Sequence, residues 1–177
     1  EPMPKDAMTP KERWLAVLAR DTPDRLPMDY WATPEATRIV MRHLGVATER
    51  EMFDRLHIDY LVNVGPRYVG PPLAPGTDIY GVQHRDVDYG TGLYSESISH
   101  PLATYTSIEE IEAAFTWPTA DWFDYSVIPQ QVRGQEDHAV RGGGSEPFLT
   151  YCTLRGLEQA YMDLAINPDI VAYCLDK

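Results

Sequence analysis

Residues 140–168 read VRGGGSEPFLTYCTLRGLEQAYMDLAINP, and this stretch decides the fold class. It predicts the end of a buried strand, then a turn of three glycines, then a helix with apolar residues at helical spacing: Leu154, Leu157, Tyr161 and Leu164. Consecutive glycines allow close approaches that a side chain would forbid, and strand-to-helix turns of α/β folds often carry sites. From these residues alone, a plain connecting loop and a binding site stay equally open.

The composition predicts one globular domain that does not bind nucleic acid. The chain has 177 residues, of which 44% are hydrophobic, and this is enough for a real core. Its formal net charge is -12 at pH 7, whereas phosphate binding needs a basic face. No apolar run approaches the length of a membrane span, so we also expect no membrane partner.

The ends of the chain and its cysteines suggest a cytoplasmic origin and an incomplete protein. The first residues, EPMPK, are not followed by the apolar core of a signal peptide. Cys152 and Cys174 have no disulfide-framework spacing, which favours a reducing compartment. A helical pattern over residues 170–175 runs to Lys177 without a cap, so we expect a piece of a longer protein.

Helix starts are the clearest local signals. Thr9-Pro10 followed by Glu12 is a capping box with proline at the first helical position. Thr33-Pro34 repeats the cap and the proline, and further boxes begin at Thr48 and Ser107.

Between these helices the pattern predicts parallel strands. Residues 25–31 (RLPMDYW) and 58–64 (IDYLVNV) are candidate first and second strands, and the strand ending near Val140 is the third. Residues 79–98, with a turn at 89–92, predict a hairpin excursion between the second and third strands. Strand–helix alternation indicates an α/β fold. We therefore predict a single domain over residues 1–177, the N-terminal part of a (β/α)8 TIM barrel with its first three strand–helix units.

Several stretches carry a family resemblance, in order along the chain: MTPKERWLAVL at 8–18, DTPDRLPMD at 21–29, DIYGV at 78–82, SIEEIE at 107–112 with WPTADWFDY at 117–125, and LRGLEQAYMDLAINP at 154–168. With them the chain resembles the N-terminal half of the uroporphyrinogen decarboxylase superfamily, which also contains corrinoid-linked methyltransferases. The resemblance implies a (β/α)8 barrel of roughly twice this length.

The chain departs from the decarboxylases of that superfamily at two strand ends. Where they have an arginine-bearing element after the first strand, residues 30–34 read YWATP, and no arginine follows until Arg38. Where they place a catalytic aspartate after the second strand, residues 63–67 read NVGPR, and Asp59 lies at the opposite end of the strand. A substrate with many carboxylates needs several cationic partners.

We therefore expect a superfamily enzyme that performs corrinoid-linked methyl transfer on a small molecule. The alternatives are uroporphyrinogen decarboxylation, which belongs to porphyrin biosynthesis, and, from another class, a non-catalytic half-barrel binding module. The resemblance implies a tetrapyrrole or corrinoid ligand, a corrinoid protein as partner, and zinc and corrinoid cofactors for the complete protein. No His-x-Cys motif occurs here, so zinc ligands are expected outside these residues, and this chain alone is expected to be inactive.

Tyr151 and Glu146 are the candidate catalytic residues. Tyr151 lies one residue away from the position of the substrate-contacting tyrosine that the resemblance implies, and Glu146 follows the glycines, where burial would make it a general acid or base. The alternative for Glu146 is an exposed loop carboxylate.

Candidate substrate-binding residues lie at predicted strand ends and beside the glycine turn: Asp29, Tyr30, Trp31, Asn63, Arg67, Tyr68, Gly143 and Arg155. Trp31 could equally pack the barrel mouth, and Arg67 could be a surface arginine. The five histidines have no metal-ligand spacing, so no metal ligand is predicted here. A partial barrel exposes sheet edges, so we expect self-association through them.

Overall fold

The computed structural model describes residues 6–144 and 146–177. Its contacts divide the chain into two compact units. Unit 1 comprises residues up to 67 and residues 125–143, and unit 2 comprises residues 68–124 together with residues from 144 onward. Each unit is built from two separate segments of the chain.

Eight α-helices and six short strands are formed by the described residues. In the first half they are α1 (Pro10–Leu18), α2 (Pro34–Leu44), α3 (Glu49–Leu56), β1 (Val62–Val64), β2 (Arg67–Tyr68), β3 (His84–Asp88) and β4 (Leu93–Ser97). In the second half they are α4 (Ile108–Ala114), β5 (Phe123–Asp124), α5 (Ile128–Gln131), β6 (Val140–Gly142), α6 (Pro147–Arg155), α7 (Leu157–Ile166) and α8 (Pro168–Leu175).

The helix starts are where the sequence predicts them. Thr9 and Thr48 each accept a hydrogen bond from the backbone N–H three residues on, and the glutamate there reaches back to the cap. Helix α2 begins after Thr33 and ends at Gly45, whose φ of 65° is left-handed. At Ser107 only half of the predicted box forms, because the Glu110 carboxylate accepts from Thr106 instead.

Strands β1 and β6 form the parallel sheet of unit 1. Val62 pairs with Val140, Asn63 with Arg141, and Val64 with Gly142. The second and third predicted strands are therefore parallel neighbours, although β1 is shorter than predicted. All three residues of β6 are exposed, so the expectation of a buried strand at Val140 is wrong.

The predicted first strand does not form. Residues 26–33 adopt no strand conformation, and Pro27 offers no N–H to a ladder. The segment is held instead by Asp59, whose N–H donates to the Met28 C=O at 2.7 Å and whose carboxylate accepts from the Met28 N–H.

The predicted hairpin is confirmed, with β3 and β4 antiparallel in unit 2. The fold is therefore mixed α/β, with helices and three two-stranded sheets: β1–β6, β2–β5 and β3–β4. No closed barrel is formed by residues 6–144 and 146–177, and the partial TIM barrel and the single domain stay predictions.

Unit 1 has a network of ion pairs in its interior, beside the buried apolar residues Met52, Ile58 and Val62. Arg13 of α1 is fully buried, and its guanidinium donates to the Asp24 and Asp59 carboxylates. Arg25 donates to Asp59 at 2.6 Å and to Asp6 at 2.8 Å. Helix α1 buries the side that carries Arg13, so the apolar helix residues Leu15 and Leu18 lie elsewhere on its surface and remain exposed.

Helices α6, α7 and α8 build the core of unit 2. Their buried residues pack with residues of the loops and of α4: Val82, Leu102, Ile111, Tyr151, Cys152, Leu154, Ala160, Ile170, Val171 and Cys174. The one helix that residues 154–164 predict is divided at Gly156, whose φ is 86°. Of its predicted apolar face only Leu154 is buried, whereas Leu157, Tyr161 and Leu164 are exposed.

No helix within residues 6–144 and 146–177 combines the length and the apolar character needed to cross a membrane.

Candidate functional site

A cavity of about 300 Å³ lies in unit 1 beside the β1–β6 sheet. This volume is at the lower end of the range for small-molecule sites. Its lining comes from the segment before α2, from α2, from α3, from the two residues before β1 and from the middle of the two strands: Asp29, Tyr30, Trp31, Ala32, Pro34, Thr37, Glu49, Phe53, Tyr60, Leu61, Asn63 and Arg141. Residues of the sheet and the first turns of α2 and α3 thus meet at one concave surface.

One side of the cavity is polar. Arg141 Nε donates to Asn63 Oδ1 at 2.8 Å, across the paired strands. Its Nη1 lies 3.5 Å from Asp29 Oδ2, and the Asp29 carboxylate also accepts from the Tyr30 N–H at 2.8 Å. The arginine and the aspartate are each about half exposed, so this polar group is in contact with solvent.

The opposite side is aromatic. The ring centroids of Tyr30 and Phe53 are 5.5 Å apart, and those of Phe53 and Tyr60 are 5.0 Å apart, so the rings form one continuous row. Trp31 lines the same cavity yet is fully exposed, which places it at the rim.

The row is fixed from behind by polar contacts and stacking. The Tyr30 hydroxyl lies 3.1 Å from Thr37 Oγ1, and the Tyr60 hydroxyl donates to Gln135 at 2.9 Å. His138 stacks on Tyr60 with a centroid separation of 4.1 Å, and burial lowers the pKa of this histidine below its ordinary value. A neutral imidazole is therefore favoured behind the aromatic row.

The charges around the cavity are not balanced. Its lining has two carboxylates, Asp29 and Glu49, and one guanidinium, Arg141. The Asp29 carboxylate pairs with Arg141. The Glu49 carboxylate has no hydrogen bond or ion pair within residues 6–144 and 146–177. Glu49 lies in the first turn of α3, where the helix dipole favours a negative side chain.

Four of the predicted substrate-binding residues meet at this cavity, namely Asp29, Tyr30, Trp31 and Asn63. Arg67 and Gly143 belong to unit 1 but do not line it. Gly143 has a φ of 78°, so its conformation explains the glycine without any ligand.

Tyr68 lines a different groove, in unit 2. Its hydroxyl donates to the Pro71 C=O at 2.7 Å, and its ring meets Trp122 edge to face.

Tyr151 and Arg155 lie in the core of unit 2, in a buried hydrogen-bond network centred on Asp163. The Tyr151 hydroxyl and Arg155 Nε each donate to Asp163 Oδ2 at 2.6 Å. Gln159 and Asn167 donate to Asp163 Oδ1, each at 2.8 Å. Tyr151 is 1% exposed, and the described pockets do not include it in their lining.

Titration in this network follows from burial and from the hydrogen bonds. Burial by itself would raise the pKa of Asp163, but the donors around it, led by Arg155, hold that pKa well below its usual range. Burial and the bond to Asp163 raise the pKa of Tyr151 far above its ordinary value. Asp163 therefore stays ionised and Tyr151 stays protonated across the physiological range.

Glu146 is exposed at the start of α6 and makes no capping hydrogen bond there. The exposure agrees with the open-loop alternative, and its catalytic role stays a prediction, as does that of Tyr151.

Several residues of the cavity were not identified from the sequence, above all Arg141, Glu49, Phe53 and Tyr60. Arg141 could have been found by aligning the ends of two predicted parallel strands, because it occupies the same level as Asn63. The aromatic residues have no comparable signal, since Phe53 is a helix residue whose spacing only indicates burial.

Within residues 6–144 and 146–177, no group of three or more His, Cys, Asp or Glu side chains is arranged to hold a metal ion. The zinc ligands that the resemblance implies are therefore not assigned to any described residue.

Comparison with known proteins gave no relatives: no protein-family model, no curated protein and no solved structure matches this chain.

Proposed function

We propose that this chain belongs to a methyltransferase of the uroporphyrinogen decarboxylase superfamily and that the unit 1 cavity binds its small methylated substrate. The family part of the proposal is supported by the sequence motifs that span residues 8–168. The substrate-binding part is supported by the cavity itself, which is concave and lined by aromatic rings with a few fixed polar groups from the paired strands β1 and β6.

The pairing of Asn63 with Arg141 carries the proposal. This contact joins two residues that are 78 positions apart in sequence, and it fixes a guanidinium in a cavity that also carries a row of aromatic rings. Apolar walls with a few fixed polar groups are typical of small-molecule sites.

The charge of the lining favours methyl transfer over porphyrinogen decarboxylation. A substrate with many carboxylates requires several cations, but the cavity has one arginine and two carboxylates. Its aromatic rings fit an apolar methylated group better than a set of acids.

The reaction transfers a methyl group with its bonding electrons left behind. The bond between the methyl carbon and the substrate heteroatom breaks, and the heteroatom keeps the electron pair. The corrinoid that the resemblance implies would, when bound in its reduced form, supply the electron pair for the new bond to the methyl carbon. The described residues bind and orient the substrate, with the aromatic row on one side and Arg141 on the other.

Methyl transfer to free cob(I)alamin tests the proposal. The 177-residue chain, and in parallel the full-length protein that the resemblance implies, would be incubated with cob(I)alamin and methylated amines, ethers or thioethers. Formation of the methylated corrinoid is followed by its absorbance. In a separate arm, uroporphyrinogen is supplied and coproporphyrinogen is measured by chromatography.

We expect methyl transfer with at least one donor and no coproporphyrinogen. Coproporphyrinogen without methyl transfer would support the decarboxylase instead. Binding of a methylated compound by full-length protein that shows neither reaction would support the non-catalytic binding module.

A further inference from the structure

The lining of the unit 1 cavity has the chemistry of a site for an organic cation. We propose that it binds the quaternary ammonium group of a small molecule such as choline or glycine betaine. This inference rests on the proposed function, in which the cavity takes the methylated substrate, and it names the class of that substrate.

The aromatic residues provide the first part of the argument. Ring faces carry negative potential and attract cations, most strongly those of tryptophan and tyrosine. The Tyr30 hydroxyl is engaged with Thr37, so what Tyr30 leaves for the cavity is ring surface. Tyr60 is stacked on His138 and lies beside Phe53, so it supports the aromatic row from behind. Phe53 lies between the two, and Trp31 adds a fourth ring at the rim.

The charges provide the second part. Arg141 is already neutralised by Asp29, at 3.5 Å, and fixed by Asn63. Glu49 then remains as the excess negative charge of the lining. Aromatic rings together with an unpaired carboxylate attract a cation, whereas an anionic ligand would have to compete with Asp29 for Arg141.

A quaternary ammonium compound also suits the proposed reaction. When its carbon–nitrogen bond breaks, the nitrogen keeps the electron pair and leaves as a neutral tertiary amine. The electron pair for the new bond to the methyl carbon would come from the reduced corrinoid of the proposed function. No proton has to be delivered to the leaving group, so the cavity needs no acid beside the nitrogen.

The test compares choline with its uncharged carbon isostere, 3,3-dimethylbutan-1-ol, which has the same shape. Binding of each to the 177-residue chain is measured by calorimetry and by the fluorescence of the tryptophans. Glycine betaine, tetramethylammonium and 4-methoxybenzoate are the further probes. We expect choline to bind at least tenfold more tightly than the isostere, and Trp31→Phe to remove most of the fluorescence response.

Variants separate the charge from the rings. Glu49→Gln should weaken choline binding and leave binding of the isostere unaffected. Trp31→Ala should lower the affinity for choline roughly two- to thirtyfold. Glu112→Gln is the matched control, because Glu112 is an exposed helix residue of unit 2, which does not contain the cavity. Glu49 and Trp31 are both exposed, so these variants are expected to fold.

Equal affinities for choline and the isostere would overturn the inference. Binding of 4-methoxybenzoate without choline would also overturn it, but would leave the proposed methyltransferase intact, since the cavity would then take an anionic methyl donor. Absence of binding by every probe, with no methyl transfer from any donor, would refute the inference and the proposed function together.

Discussion

Asn63 and Arg141 are direct neighbours across two parallel strands, and Arg141 Nε donates to Asn63 Oδ1 at 2.8 Å. The contact fixes the position of the guanidinium beside the cavity, where it also meets Asp29. Although Asp29 shares this guanidinium, Arg141 can still orient the acid group of a zwitterion whose ammonium lies against the rings.

Asn63→Ala should therefore weaken the binding of glycine betaine more than the binding of choline. Loss of the hydrogen bond frees Arg141, and we expect betaine affinity to fall roughly two- to tenfold while choline changes little. Stability should change by less than about 0.5 kcal/mol because Asn63 is exposed. Calorimetric titration of both ligands checks this, with Gln130→Ala as the control. An equal loss for both ligands would contradict an orienting role for Arg141.

Tyr151→Phe is expected to act on stability and not on the cavity. The substitution removes the hydroxyl that donates to Asp163 and should cost about 1–3 kcal/mol, the range for a hydrogen bond to a charged group. Urea denaturation measures the loss, and choline affinity should be unchanged. If methyl transfer were abolished while stability stayed the same, the catalytic prediction for Tyr151 would be supported instead.

Asp163→Asn should destabilise the protein much more. Asp163 is fully buried and is the counter-ion of Arg155, whose side chain is 3% exposed. Removal of one partner leaves a buried charge and should cost about 3–5 kcal/mol in the free energy of unfolding. Asp169→Asn, at an exposed carboxylate of the next helix, is the control and should stay within about 0.5 kcal/mol. Similar losses in both variants would exclude a special role for the buried pair.

Acid should destabilise the protein through Asp6. The hydrogen bond from Arg25, opposed by burial and supported by His57, lowers the pKa of Asp6 from 3.8 to about 2. The folded state thus binds this proton less readily than the unfolded state, so the contribution of Asp6 is present above pH 3.8 and is lost as the pH falls through about 2.

Denaturation at a series of pH values between 2 and 6 measures this contribution. Asp6→Asn should make the decline shallower, whereas Asp21→Asn, at an exposed aspartate, should not. A decline that Asp6→Asn leaves unchanged would assign the acid sensitivity to other carboxylates, such as Asp24, whose pKa is also lowered by the hydrogen bond from Arg13.

Gly70→Ala tests the packing of the groove in unit 2. A Cβ at Gly70 would lie 2.8 Å from Trp122 Cβ and 2.8 Å from the Tyr68 hydroxyl, so the tryptophan would have to move. We expect a loss of about 1–3 kcal/mol, measured by thermal denaturation. At Gly65 the same addition meets nothing within 4 Å, so Gly65→Ala is the matched control.

The sequence predicted local structure well where the signal spans only a few residues. The caps at Thr9, Thr33 and Thr48 and the hairpin are confirmed. The prediction of a strand at residues 25–31 was wrong because a strand needs a partner strand. Met28 is instead bound by the carboxylate and the backbone of Asp59. Propensity alone cannot reveal a competing long-range bond.

The candidate site was predicted only in part. The predicted strand ends pointed to Asp29, Tyr30, Trp31 and Asn63, and all four line the cavity although no strand forms over residues 26–33. Glu49 and Phe53 come from a helix that the sequence placed correctly, but its orientation toward the strands depends on packing.

By itself, the sequence determined where helices begin and that the sheet of unit 1 is parallel, because capping bonds and strand periodicity act over a few residues. Only the tertiary structure decided that Arg141 contacts Asn63 and that Arg13 and Tyr151 are buried. It also decided that four aromatic rings line one cavity. Such contacts join residues far apart in the chain, and their geometry depends on register and packing, which local patterns do not encode.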